Sequence, residues 1–145
     1  MADAYNRIGD CNLHVRRFEE AKQYYAKAEN LNTPAGDYAV YQLALVYGMQ
    51  KNYTEKVSML DRLAAKYPNS PYAINALYEK GRSYVQSNNS RQAIATFREL
   101  LGKYPESPVS RKAAAEIGLL YYQNDDYDRA IEAYKHVVTQ YPGSE

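Results

Sequence analysis

The chain has 145 residues, 46% of them hydrophobic and 24% charged, a balance that supports a folded core and excludes a disordered segment. Eighteen Lys and Arg against 17 Asp and Glu leave a net charge of +1 that is scattered along the sequence, so the basic field used in nucleic-acid binding is absent. A single cysteine, Cys11, excludes a disulfide framework, and no apolar run reaches the roughly 18 residues that span a bilayer.

In chain order, apolar and small residues at helical spacing predict four helical hairpins. The first has helices near 3–15 and 18–30, turned at Arg16-Arg17, and Met1-Ala2-Asp3-Ala4 leads straight into its helical pattern with no signal peptide. If the natural protein is exported, its targeting segment lies outside this sequence. The second hairpin has helices near 37–50 and 53–67, turned at Gln50-Lys51-Asn52. The third runs near 71–86 and 90–104 around Asn88-Asn89-Ser90, with Leu77, Gly81 and Tyr84 followed by Ala93, Phe97 and Leu100 along its inner stripe. The fourth runs near 108–124 and 127–141 around Gln123-Asn124-Asp125-Asp126. No segment alternates as a strand.

The hairpins are copies of one unit. Tyr-Pro recurs at Tyr67-Pro68, Tyr104-Pro105 and Tyr141-Pro142, each 37 residues after the last, and fixed-period self-similarity of this length marks a repeat architecture. Proline disfavours the helical conformation in the residue before it and has no N–H to continue a helix, so a helix ends at each pair. Ser70 and Ser107 then fit the N-cap role, with Pro71 and Pro108 at the first helical position. Tyrosine is over-represented, 17 against 2 Phe and no Trp, which suits the half-buried interfaces of a thin, elongated fold.

The residue pattern resembles the tetratricopeptide repeat family across essentially the whole chain. The first unit supplies Tyr5, Ile8-Gly9, Phe18, Ala21, Tyr25 and Ala28, with Asn12 where the family has an aromatic and Pro34 one position late. The second supplies Leu43-Ala44, Tyr47, Tyr53, Leu60, Leu63 and Pro68, with Lys56 in place of a small alanine. The third has Leu77, Gly81, Tyr84, Ala93, Phe97, Leu100 and Pro105; the fourth has Ile117-Gly118, Tyr121, Tyr127, Ala130, Tyr134, Val137 and Pro142. The resemblance implies an all-α, right-handed α-α superhelix (a solenoid) of about four hairpins, divided 2–36, 37–73, 74–110 and 111–145. The small residues let paired helices approach, so Gly81→Leu is expected to cost about 1–3 kcal/mol or more by overpacking. A repeat buries its apolar face only against neighbours, which implies a segment of a longer array with a C-terminal face open to a further repeat, a partner or a second copy.

In the family the first helices line a concave groove, so the resemblance places partner contacts at Asn6, Asp10, Tyr38, Tyr41, Leu45, Met49, Asn75, Tyr78, Arg82, Lys112, Leu119 and Tyr122. Tyrosines and an arginine suit an interface; for Tyr38, Tyr41, Tyr78 and Tyr122, packing between adjacent first helices is the alternative. The carboxylate-gripping subtype does not fit, because its positions hold Asn6, Asp10, Gln42, Asn75 and Glu79. The Tyr-Pro-x-Ser-Pro junctions and long first helices resemble bacterial envelope members, the outer-membrane assembly lipoproteins and TolA-binding cell-division coordinators. This implies a periplasmic or outer-membrane-associated location, with a cytoplasmic one as the alternative.

Catalysis needs converging acid, base or nucleophile groups, and His14 and His136 fall at opposite ends of the repeat array. Cys11 matches a small packed position and is expected to be a buried, inert thiol. Asp125-Asp126-Tyr127-Asp128 lacks the glycine and distal glutamate of a calcium loop and reads as a helix cap. Gly102-Lys103 lacks the upstream glycine of a phosphate loop. Asn52-Tyr53-Thr54 and Asn88-Asn89-Ser90 match the N-glycosylation pattern and fit exposed turns. The reading is a non-catalytic scaffold without cofactor or metal that binds a protein or peptide segment, with self-association through the open C-terminal end as the alternative.

Overall fold

The computed structural model describes residues 1–143, and these carry helices but no strand. The helices are α1 (Ala2–His14), α2 (Phe18–Asn30), α3 (Gly36–Met49), α4 (Tyr53–Lys66), α5 (Ala73–Gln86), α6 (Ser90–Lys103), α7 (Pro108–Gln123) and α8 (Tyr127–Gln140). The sequence pattern places every helix end within two residues of these bounds.

Local chemistry sets the turns. Arg16, Lys51, Asn88 and Asp125 each close a first helix in the left-handed region, with φ between 61° and 63°. The next residue caps the second helix in three hairpins: Asn52 accepts from the Glu55 N–H, Asn89 from Gln92 and Asp126 from Arg129, each at 3.3 Å. Arg17 offers no such side-chain cap to α2. A cap of this kind contributes about 1 kcal/mol. Asp126 therefore has the capping role expected of the acidic run.

At the Tyr-Pro junctions, Tyr67, Tyr104 and Tyr141 are the last residues of α4, α6 and α8 to bond back into the helix. Ser107 accepts from the Val109 N–H at 3.3 Å, and Pro108 opens α7 as expected. The third hairpin differs. Ser70 accepts from the Tyr72 N–H at 3.0 Å, but Pro71 and Tyr72 stay in a turn and α5 starts at Ala73. The Ser70 hydroxyl also donates to Asp37 at 2.5 Å, tying this junction to the start of α3.

The chain forms two compact units, Met1–Ala76 and Leu77 onward. In the first, Ala21, Tyr25 and Ala28 of α2 meet Ala39, Leu43 and Val46 of α3, while Val40 and Ala44 on the other side of α3 meet Leu60 and Leu63 of α4. In the second, Phe97 and Leu100 of α6, Ala113, Ile117 and Leu120 of α7, and Val137 of α8 are buried. Full burial of a large side chain such as Phe97 contributes about 1.5–3 kcal/mol.

Close approach within hairpins depends on glycine facing an aromatic ring. A Cβ on Gly9 would lie 2.8 Å from Cδ1 of Tyr25, and one on Gly118 would lie 2.9 Å from Cζ of Tyr134. Phe97 fills the same place against Gly81. The second hairpin takes Ala44 there because it faces the smaller Leu60. Its unusual Lys56 is buried and is accommodated by a different glycine: a Cβ on Gly48 would lie 2.9 Å from Lys56 Cδ.

Cys11 corrects a sequence expectation, for it is exposed rather than buried. The matching positions Val46 and Leu120 are covered by the second helix of the preceding hairpin, α2 and α6 respectively, and the described residues include no hairpin that covers α1 in this way.

Candidate functional site

In the first unit the first-helix faces of α1 and α3 meet around Asp10. Its carboxylate accepts from the Tyr25 hydroxyl at 2.5 Å, from the Tyr38 hydroxyl at 2.9 Å and from Gln42 Nε2 at 3.4 Å. Gln42 also donates to the Tyr38 oxygen at 3.2 Å, and Arg7 lies 3.6 Å from the other carboxylate oxygen. Burial, then the bond to Asp10, pushes the Tyr38 phenol up to about 12 and raises that of Tyr25 further. Hydrogen bonds to a charged group contribute about 1.5–3 kcal/mol each, so this cluster fastens three helices together.

The aromatic candidates beside it pack together. The Tyr41 ring stacks on Tyr72 at 5.3 Å between centroids, and Tyr38 meets the same ring edge-on at 5.9 Å. Asn6 is buried, and its side-chain oxygen has no protein hydrogen-bond partner. Leu45 is half-buried, whereas Met49 and Asn75 are exposed.

The second unit holds a more open arrangement. Tyr78 from α5, Lys112, Ala115, Glu116 and Leu119 from α7, and Tyr134 from α8 line a hollow of about 340 Å³. Arg82 bridges to Glu116 at 3.3 Å, and the Tyr78 ring tilts against Phe97 at 5.7 Å. Burial, then the nearby Glu116, raises the Tyr78 phenol above its usual range. Lys112 and Leu119 are exposed at the rim. The lining thus joins two tyrosine rings with an ammonium and a carboxylate one helix turn apart on α7, the carboxylate being the one that Arg82 of α5 pairs with.

Tyr122, the last groove candidate, lies elsewhere: with Tyr127, Ala130, Ile131, Tyr134 and Val138 it lines an apolar patch on α7 and α8. A further cleft of about 530 Å³ opens between α6 and α8 above Leu101, Ile117 and Ala133, edged by Arg98 and His136. Apart from Tyr122, neither set of residues was among the groove candidates. The signal for the cleft was present in the repeat register, where Glu29, Arg62 and Lys66 of the first unit become Leu101, His136 and Gln140. In the first unit those charges close the gap between α2 and α4, with buried Glu29 paired to Arg62 and, at 3.5 Å, to Lys66. His14 and His136 are both exposed. Among the described residues no group of three His, Cys, Asp or Glu is placed to hold a metal, and no helix is long and apolar enough to cross a membrane.

Models of the tetratricopeptide repeat match residues 2–33, 38–70 and 78–145. The chain belongs to the tetratricopeptide repeat family. Such repeats are protein-interaction modules, and this chain is accordingly an all-α protein-interaction scaffold. Solved tetratricopeptide structures share its fold. A crystal structure of MamA superposes with a TM-score of 0.76 at 18% identity, covering 96% of this chain and 77% of that one. A second MamA structure gives 0.75 at 21%, covering 99% and 74%. The repeats of a Podosopora anserina putative kinesin light chain give 0.73 at 15%, covering 96% and 74%. No curated protein sequence matches the chain.

Proposed function

We propose that this tetratricopeptide chain is a non-catalytic scaffold that takes an extended or helical segment of a partner protein against its first helices. The observation that carries this reading is the hollow of the second unit. Tyr78 supplies a rigid aromatic wall already fixed by Phe97, Arg82 is held in place by Glu116, and Lys112 and Leu119 stand exposed beside them. Pre-positioned aromatic and arginine side chains lose little entropy on binding, which is why such residues dominate interface energetics. In the first unit the corresponding polar groups, Asp10 and Tyr38, are engaged with each other, so the weight of recognition falls on the second.

The partner-capture test uses Lys112→Ala/Leu119→Ala, because both side chains are exposed and their removal spares the core. Loss of the partner from the variant, at an unchanged melting temperature, is the expected result. Equal recovery with wild type and variant sinks the assignment of the hollow. For the cellular setting we place the chain in a bacterial envelope complex, on the resemblance of its Tyr67-Pro68-Asn69-Ser70-Pro71 junction and long first helices to envelope members. Fractionation of the native host, with the protein found only in the cytoplasm, would reject that placement.

A further inference from the structure

In each unit two second helices pack on the first helix between them: α2 and α4 on α3, and α6 and α8 on α7. The side chains that face the hairpin glycine or alanine fix the register, Tyr25 matching Phe97 and Leu60 matching Tyr134. The gap between the outer helices can therefore be compared residue by residue.

In the first unit that gap is filled. Met59 packs against the cores on both sides of α3, and the buried Glu29 carboxylate is held by Arg62 and Lys66. In the second unit Ala133 stands in the place of Met59, Gly102 in the place of Asn30 and Leu101 in the place of Glu29. A Cβ on Gly102 would meet nothing within 4 Å. The result is the cleft of about 530 Å³ between α6 and α8, within the roughly 300–1,000 Å³ of small-molecule sites. The Tyr141 hydroxyl donates to the Pro105 carbonyl at 2.6 Å and ties its two walls together. The cleft shares no lining residue with the hollow around Tyr78 or with the patch around Tyr134 and Val138. Its opening follows from side-chain size between helices that are both present.

The charges change as well. The first unit supplies its own anion, Glu29, to the cations across the gap. The second has lost that carboxylate and gained two guanidiniums, Arg98 where the first unit has Ala26 and Arg129 where it has Glu55. Arg98 donates to a neutral partner, the Tyr121 hydroxyl at 2.7 Å, and among the described residues no carboxylate is ion-paired with it. Arg129 pairs with Asp126 at 3.0 Å on the exposed rim. Glu132, the acidic lining residue, has a side chain 77% exposed and reaches toward Lys135 at 4.0 Å. The cleft thus offers an apolar lining and a cationic edge with no buried anion of its own.

We infer that this cleft binds a small carboxylate with an apolar body, a free molecule rather than a protein segment. The body lies on Leu101, Ile117 and Ala133, and the head takes charge-assisted hydrogen bonds at the Arg98 edge, where Arg129 adds a second positive charge.

Octanoate is the probe, titrated into the 145-residue chain and followed by calorimetry and by amide shifts in two-dimensional NMR. One site saturating below about 1 mM is expected, with shifts centred on Leu101, Gly102 and Ala133. Butyrate, with less apolar surface, and octanamide, without the charge, should each bind at least tenfold more weakly. Arg98→Gln/Arg129→Gln changes two exposed side chains and should weaken octanoate at least tenfold while leaving octanamide unchanged. Ala133→Met rebuilds the first unit's filler and should abolish octanoate binding at an undiminished melting temperature; if that variant melts early, the arginine variant decides by itself. A wild-type chain with no saturable octanoate binding overturns the inference. Octanoate and octanamide binding equally, or octanoate indifferent to the arginine exchange, overturns the carboxylate assignment, and binding that survives Ala133→Met in a folded chain overturns the site. Failure of octanoate where a short apolar peptide with one aspartate binds would make the cleft a protein-docking site instead.

Discussion

Replacing Gly81 with alanine drives one methyl group into the edge of the Phe97 ring. The new Cβ would lie 2.7 Å from Cδ1 and 2.8 Å from Cζ, well inside the roughly 3.5–4.0 Å of a favourable carbon contact. Phe97 is fully buried, so its ring has no vacant side to move into and the two helices of the hairpin must separate. Overpacking of this kind costs about 1–3 kcal/mol, against a gain of about 1 kcal/mol from the better helix propensity of alanine. Gly102 provides the control, because a Cβ there meets nothing within 4 Å and the propensity gain stands alone. The difference between the two alanine variants cancels propensity and isolates the clash at about 1–3 kcal/mol. At this chain length that corresponds to melting temperatures roughly 2–12 °C apart, with Gly81→Ala the lower. Thermal melts followed by circular dichroism measure it directly. Equal melting temperatures for the two variants would refute the close approach of α5 and α6 at this glycine.

Tyr38→Phe removes the hydroxyl that binds Asp10 and is expected to lower stability by about 1–3 kcal/mol in urea titrations, with no loss at all as the contrary result. The Tyr38 phenol is raised from its ordinary 10 to about 12, so the unfolded chain releases this proton first as pH climbs. Stability is therefore full below about pH 10 and falls between there and about 12, and Tyr38→Phe should flatten that fall; an unchanged slope would disprove the coupling. Glu29→Leu swaps a buried carboxylate for the residue found at the matching position 101. Because Arg62 and Lys66 are partly exposed and can return to water, stability should stay within about 1 kcal/mol of wild type or rise, and a loss beyond 3 kcal/mol would show the pair to be essential.

The hairpins and their ends were legible in the sequence because the signals are local. Proline after Tyr67, Tyr104 and Tyr141, a cap at Asn52, Asn89 or Asp126, and glycine opposite an aromatic ring each act within a few turns of one helix pair. The first-helix faces were legible only as positions. Nothing in the composition of Asp10, Tyr25, Tyr38 and Gln42 says that these four polar side chains bond to one another, since that depends on three helices meeting at one point. Cys11 shows the same limit from the other side. Its place in the repeat is a buried one, but burial there comes from the second helix of another hairpin, and none among the described residues packs on Cys11. Tyr122 likewise occupies a first-helix position yet joins the patch around Ile131, because whether such a residue is covered depends on the neighbour rather than on its own helix.

The most direct test of a scaffold working through its first helices is site-specific photocrosslinking in an extract of the native host. A photoreactive residue at position 112, on the rim of the second unit's hollow, should give a discrete protein adduct that excess unlabelled chain competes away. The same residue at position 99, exposed on α6, should give none. An adduct from position 99 and none from 112 would contradict binding at the first-helix face.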